Sequence, residues 1–267
     1  MIIPLWQEPH EASHGQETVV PEIGGAKDVR LVRNVTVPSL TVHAPAPSTA
    51  TGTGVIVCPG GSFATLTHGT GTAVATRLAE HGLTAFVLRY RLLPTPEDDD
   101  EFLHSWSTAV SMEALEAQSR IAKADALDAV RVVREQSSTW DIDRIGIMGF
   151  SAGGLLTVHA ATGYSPESRP DFAVPVYAAV FDDYTVPADA PPLFLAFASD
   201  DEGPNVVESN LSLYSAWRAA GRSVEMHVYA EGGHSFGWRL RGLPCDTWLD
   251  RCLDWLHSQR PGRPTAP

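Results

Sequence analysis

The chain switches between two hydrophobic periods, and the switches predict its elements. Residues 55–58, Val-Ile-Val-Cys, and 85–88, Ala-Phe-Val-Leu, are short continuous apolar runs, the mark of strands buried on both faces. Residues 145–150, 173–180, 193–198 and 224–229 read as further strands. Helical spacing runs through 72–81, closed by Gly82, and through 125–136, carried by Leu127, Val130 and Val133. It returns in 155–161, 206–220 and 247–257. Strands alternating with helices predict an α/β fold, with a mostly parallel central sheet covered by helices on both faces. Ahead of this rhythm, 29–37 and 40–43 alternate well enough to predict the two antiparallel strands of an N-terminal hairpin.

A chain of 267 residues fits one large domain, expected over 1–260, with a flexible Pro- and Arg-rich tail over 261–267. One segment, 94–122, breaks the rhythm. It opens on Pro94-Thr95-Pro96-Glu97-Asp98-Asp99-Asp100-Glu101, passes through Phe102 and Leu103, and ends in a helix-like stretch over 112–121. A segment this long reads either as a solvated surface excursion or as a small cap over a site.

Composition acts mainly by exclusion. A net charge of −13 argues against nucleic acid or an anionic membrane surface as partner. No apolar run reaches bilayer length and the start carries no basic n-region, so the expectation is a cytoplasmic protein. Three cysteines make no disulfide framework; Cys58 ends a strand, Cys245 and Cys252 fall on the last helix, and all three read as free thiols. With no H-E-x-x-H, no G-x-G-x-x-G and no P-loop lysine, neither a metal nor a cofactor is expected.

The chemistry concentrates in Gly149-Phe150-Ser151-Ala152-Gly153, which joins an apolar strand to a helix. That is the context in which G-x-S-x-G forms a nucleophile elbow and lifts the serine hydroxyl above the sheet edge. A serine nucleophile needs a base, an orienting acid and oxyanion donors. Of the downstream histidines, His159, His227 and His257 fall inside elements. Only His234 lies in a loop after a strand, between Gly232-Gly233 and Ser235-Phe236-Gly237. The acid is expected after the 193–198 strand, where Asp201 is preferred to Asp200. Asp200 reads as a residue that ties the turn through backbone amides. Asp182 and Asp183 read as turn or pocket residues. The strand before Pro59-Gly60-Gly61-Ser62-Phe63 delivers backbone amides of Gly61 and Ser62, which with that of Ala152 form the expected oxyanion hole.

On these stretches the chain resembles the α/β-hydrolase serine esterases of the acetylxylan esterase, or feruloyl-esterase-like, group, related to the hormone-sensitive-lipase-like enzymes. The matching motifs are Pro4-Leu5-Trp6, Val57-Cys58-Pro59-Gly60-Gly61, Val87-Leu88-Arg89-Tyr90-Arg91, Arg144 through Gly154, Arg169-Pro170-Asp171, Ala190-Pro191-Pro192, Asp200-Asp201 and Gly232 through Gly237. The resemblance implies hydrolysis of short-chain acyl esters, often removal of acetyl groups from sugars, with Ser151, Asp201 and His234 as triad. The chain departs from that pattern at several positions expected on pocket edges. Ser62 and Ser235 stand where glycine is usual, Pro204-Asn205-Val206 replaces a Val-Pro, and Phe181-Asp182-Asp183-Tyr184 and the acidic segment are individual to it. The same residues would equally serve a specialised hydrolase, lactonase or acyltransferase of a small metabolite. A non-catalytic binding protein on a hydrolase scaffold is the remaining alternative.

Overall fold

The computed structural model describes residues 1–6, 13–23, 26–105 and 110–259; the tail expected over 261–267 lies outside them. Strands β1 (Ile2–Pro4), β4 (Ser39–His43), β5 (Thr53–Cys58), β7 (Thr84–Arg89), β8 (Arg144–Phe150), β9 (Phe172–Val176), β10 (Leu193–Ala198) and β11 (Val224–Tyr229) form an eight-stranded sheet. Its order is β1-β4-β7-β5-β8-β9-β10-β11. From β7 to β11 every neighbouring pair is parallel, and only the β1–β4 and β4–β7 pairs are antiparallel. Strands β2 (His14–Ile23), β3 (Ala26–Val35) and β6 (Thr65–Thr67) make a separate antiparallel sheet.

Side-chain alternation divides each central strand between two cores. Along β5, Ile56 and Cys58 enter one core while Val55 and Val57 enter the other; β10 sends Leu193 and Leu195 one way and Phe194 and Ala196 the other. Helices α3 (Met112–Glu135), α5 (Ala152–Thr162) and α6 (Val206–Ala219) close the first core through Ala126, Leu156 and Trp217. Helices α1 (His68–Glu80) and α7 (Trp248–Ser258) close the second through Leu78 and Trp255. The short helices α2 (Asp99–Ser105) and α4 (Ser137–Trp140) complete the set. Among the described residues no helix is long and apolar enough to cross a membrane.

Three expectations change. The predicted hairpin does not form: β3 pairs with β2 and β6, whereas β4 pairs with β7, Leu40 opposite Leu88. Alternation marks both segments as strands but does not name their partners, and β4 gains a buried neighbour on the main sheet. The helices expected over 112–121 and 125–136 are one helix of 24 residues, α3, so the tail of the odd segment is the head of a core helix. Cys245 lies in a short 3-10 turn (Pro244–Thr247) before α7 rather than on it; all three cysteines are free and buried.

Candidate active site

Because the strands from β7 to β11 run parallel, the loops after β5, β8, β10 and β11 emerge at one edge of the sheet, where α/β folds collect their chemistry. Ser151 follows β8 with φ 54° and ψ −118°, a conformation L residues rarely adopt and one that marks the elbow. The elbow is possible only with glycine beside it: a Cβ on Gly149 would lie 1.9 Å from the Gly153 carbonyl oxygen, and one on Gly153 2.1 Å from that of Cys58.

Ser151 Oγ lies 2.9 Å from His234 Nε2, and His234 Nδ1 lies 2.9 and 3.0 Å from the two carboxylate oxygens of Asp201. With its proton on Nδ1, the imidazole donates to Asp201 and accepts from the serine hydroxyl. The Asp201 side chain is fully buried, and its Oδ1 also accepts the Gly203 amide at 2.8 Å. Asp200 does not touch the imidazole. It accepts the amides of Gly233 at 2.7 Å and Gly232 at 3.2 Å, and the Gly233 amide chiefly holds its carboxyl below the usual range. Asp182 is engaged elsewhere, 2.8 Å from His159 Nε2, on α5.

After β5, Gly61, Ser62 and Phe63 have φ of 138°, 53° and 57° in succession. The Gly61 carbonyl accepts the amides of Ala64 and Thr65, closing a tight turn in which a Cβ on Gly61 would meet the Thr65 carbonyl oxygen at 2.2 Å. Tyr90 fastens this loop by donating its hydroxyl to the Pro59 carbonyl at 2.7 Å, and buried Phe63 packs edge-on against the Tyr90 ring. Gly61, Ser62 and Ala152 line the cavities that meet at Ser151. Both Ser62 and Ser235 (φ 68°) occupy left-handed backbone, the physical reason glycine is usual there.

Two residues without a readable sequence signal also shape the site. Arg241 donates to the carbonyl oxygens of Gly232 and His234, bracing the histidine loop opposite Asp200. Tyr177 packs edge-on against the imidazole, ring centroids 5.0 Å apart. Two cavities flank Ser151 and His234. One, of about 330 Å³, is walled by Met112, Leu115, Val180, Phe181, Pro204 and Val206. The other, of about 160 Å³, carries the hydroxyl residues Ser62, Thr65, Thr67, Thr70, Tyr177 and Ser235. Among the described residues no group of three or more His, Cys, Asp or Glu is placed to hold a metal ion.

The fold, with an elbow serine at the carboxyl edge of a parallel sheet, is that of an α/β hydrolase. The model of the dienelactone hydrolase family matches residues 44–248, and the chain belongs to that family. It is 27% identical over 247 residues to an acetylxylan esterase of Xylanibacter ruminicola, a match covering 79% of this chain and 47% of that protein. The chain therefore spans about half the length of the curated relative it matches. Among solved structures it is similar to an acetyl ester-xyloside bifunctional hydrolase of Caldicellulosiruptor lactoaceticus, with 26% identity, TM-score 0.68, and 97% and 96% of the two chains covered. It also shares the fold of an alpha/beta hydrolase enzyme from a Medee basin deep-sea metagenome library, at 20% identity and TM-score 0.65, covering 92% and 98% of the chains.

Proposed function

We propose that this protein is a serine carboxylesterase that hydrolyses small esters through an acyl-enzyme, with Ser151, His234 and Asp201 as its triad. The observation that carries this reading is the continuous hydrogen-bonded chain from Ser151 Oγ through the imidazole to the buried Asp201 carboxylate, set on an elbow. As the Ser151 oxygen bonds to the ester carbonyl carbon, its proton passes to His234 Nε2, and Asp201 stabilises the imidazolium. Negative charge gathers on the carbonyl oxygen, where the backbone amides of Gly61, Ser62 and Ala152 stabilise it. The carbon–oxygen bond to the alcohol then breaks, and the alcohol leaves with the proton from His234. Water repeats the sequence on the acyl-enzyme, releasing the acid and restoring the serine.

The alcohol we read as a sugar or similar polyol. The hydroxyl-rich cavity offers it hydrogen-bond partners, and two of the three proteins compared above are named for acetylxylan or for an acetyl ester and xyloside. The test is fluorophosphonate labelling with peptide mapping, run beside hydrolysis of p-nitrophenyl butyrate and ester cleavage on acylated xylo-oligosaccharides. Labelling at Ser151 and hydrolysis lost in Ser151→Ala are expected. An unlabelled Ser151 with no turnover of any ester would end this reading.

A further inference from the structure

The two cavities at Ser151 differ in chemistry, and that difference says what kind of ester fits. The geometry points to an acyl group larger than acetyl, an aliphatic chain of about four to eight carbons, seated in the Met112–Leu115–Phe181 cavity while the hydroxylated alcohol lies among the threonines. This rests on the esterase reading and refines it.

Three features carry the assignment. Size comes first: at about 330 Å³, this side falls within the ordinary range of ligand cavities, and an acetyl group would leave most of it unfilled. Its lining comes second. Met112, Leu115, Val180, Phe181, Pro204 and Val206 dominate it, and apart from Ser151 and His234 its polar side chains are those of Ser62 and Asn205, so a sugar placed there would lose most of its water without replacement. The opposite side carries the hydroxyls and suits the alcohol. Third, the wall is built rather than incidental. Buried Asn210 donates to the Ala178 carbonyl at 2.9 Å, the Ser209 hydroxyl bridges the amide and carbonyl of Val180 at 3.0 and 3.1 Å, and His159 holds Asp182. On the α3 side, Ser111 caps the helix through the Ala114 amide, and Gln118 donates to the Arg91 carbonyl at 2.8 Å. Of the departures from the esterase pattern, Ser62, Phe181 and Pro204-Asn205-Val206 line this cavity, and Ser235 lines the opposite one.

The experiment measures kcat/KM for p-nitrophenyl acetate, butyrate, hexanoate and octanoate, and for methyl, butyl and hexyl acetates, in the wild type, Leu115→Trp and Phe181→Ala. A methylene in an apolar pocket discriminates by roughly tenfold or more, so hexanoate should exceed acetate by at least about tenfold in the wild type. The hexanoate-to-acetate ratio should collapse in Leu115→Trp, which fills the cavity, and move toward octanoate in Phe181→Ala, which enlarges it. Opposite shifts from two variants separate pocket shape from misfolding. Acetate preference in all three proteins would overturn the inference. So would length dependence appearing only in the alcohol series, which would give the apolar side to the leaving group. Neither outcome touches the esterase reading, which falls only if no ester turns over and Ser151 fails to label.

Discussion

The Asp200 carboxylate accepts the Gly233 amide at 2.7 Å, while its neighbour Asp201 meets the imidazole of His234 at 2.9 Å. Adjacent residues of one type thus hold the backbone and the side chain of a single loop. Their substitutions should separate. Asp201→Asn keeps the volume but removes the charge that favours the Nδ1 tautomer, so kcat should fall by about 10³–10⁴ with little change in KM. Asp200→Ala leaves the triad atoms intact and loosens the loop that carries them. Activity should fall by about tenfold or less, with increased amide exchange at Gly232 and Gly233. Equal kinetic losses in the two variants would contradict this division.

A second prediction concerns left-handed backbone. Ser62 and Ser235 each adopt a φ that costs an L side chain of order 1–2 kcal/mol. Glycine removes that cost but loses about 0.5–1 kcal/mol to greater freedom in the unfolded chain. Ser62→Gly and Ser235→Gly should therefore fold with a Tm within a few degrees of wild type. Ser62→Val, branched at Cβ, should fold poorly or lose oxyanion stabilisation, seen as a kcat loss of about 10²-fold or more. Normal turnover in Ser62→Val would mean that this turn does not constrain the reaction.

How far the sequence reaches can be seen at particular residues. The buried strands and the elbow are legible because their signals are local: β10 and β11 begin and end where their apolar patterns do, and Gly149 and Gly153 stand where close approach demands them. The sequence singles out His234 by its loop between glycines after a strand, and the structure brings it within 2.9 Å of Ser151. The partner of β4 is not legible, since alternation is the same whichever strand lies beside it. Arg241 braces the histidine loop from seven residues further on, and Met112 and Leu115, in the helical stretch expected over 112–121, line the cavity beside Ser151. Such contacts depend on tertiary placement, which a one-dimensional pattern does not encode.

A third prediction follows from Asp182. Burial alone would raise its carboxyl, but the bond and charge of His159, with a backbone amide and Lys123, outweigh it and leave it below the usual value. The sign is that of a depressed acid. The unfolded chain takes up the proton first, so the contribution to stability is present above the ordinary carboxylate value. It begins to fade as pH drops past the ordinary carboxylate value near about 3.9, and is lost below the lowered folded value. Thermal unfolding of wild type and Asp182→Asn should differ at pH 5 and converge as pH falls through 4 toward 3. A gap that widens between pH 4 and pH 3 would reverse the sign and refute the assignment.

The last prediction tests what holds the acidic segment in place. The Arg33 side chain, fully buried on β3, donates to Thr18 Oγ1 and the Glu97 carbonyl, both at 2.7 Å, and also to the Pro96 carbonyl and Asp99. Its guanidinium lies 4.7 Å over the Phe102 ring, and Phe102 packs with Val20, Val29 and Leu31. One arginine therefore ties the start of the 94–122 segment to the small sheet. Arg33→Met keeps most of the apolar stem but leaves two carbonyls and the hydroxyls of Thr18 and Thr95 without this donor. Because Asp99 is 53% exposed, water takes over its charge, and the loss should be about 1–3 kcal/mol rather than that of an orphaned buried ion. The segment should become cleavable near residues 96–105 in limited proteolysis. Turnover of short esters should survive, because Ser151, His234 and Asp201 make no contact with Arg33 among the described hydrogen bonds. Protease resistance equal to wild type would show that Phe102 packing alone fastens the segment.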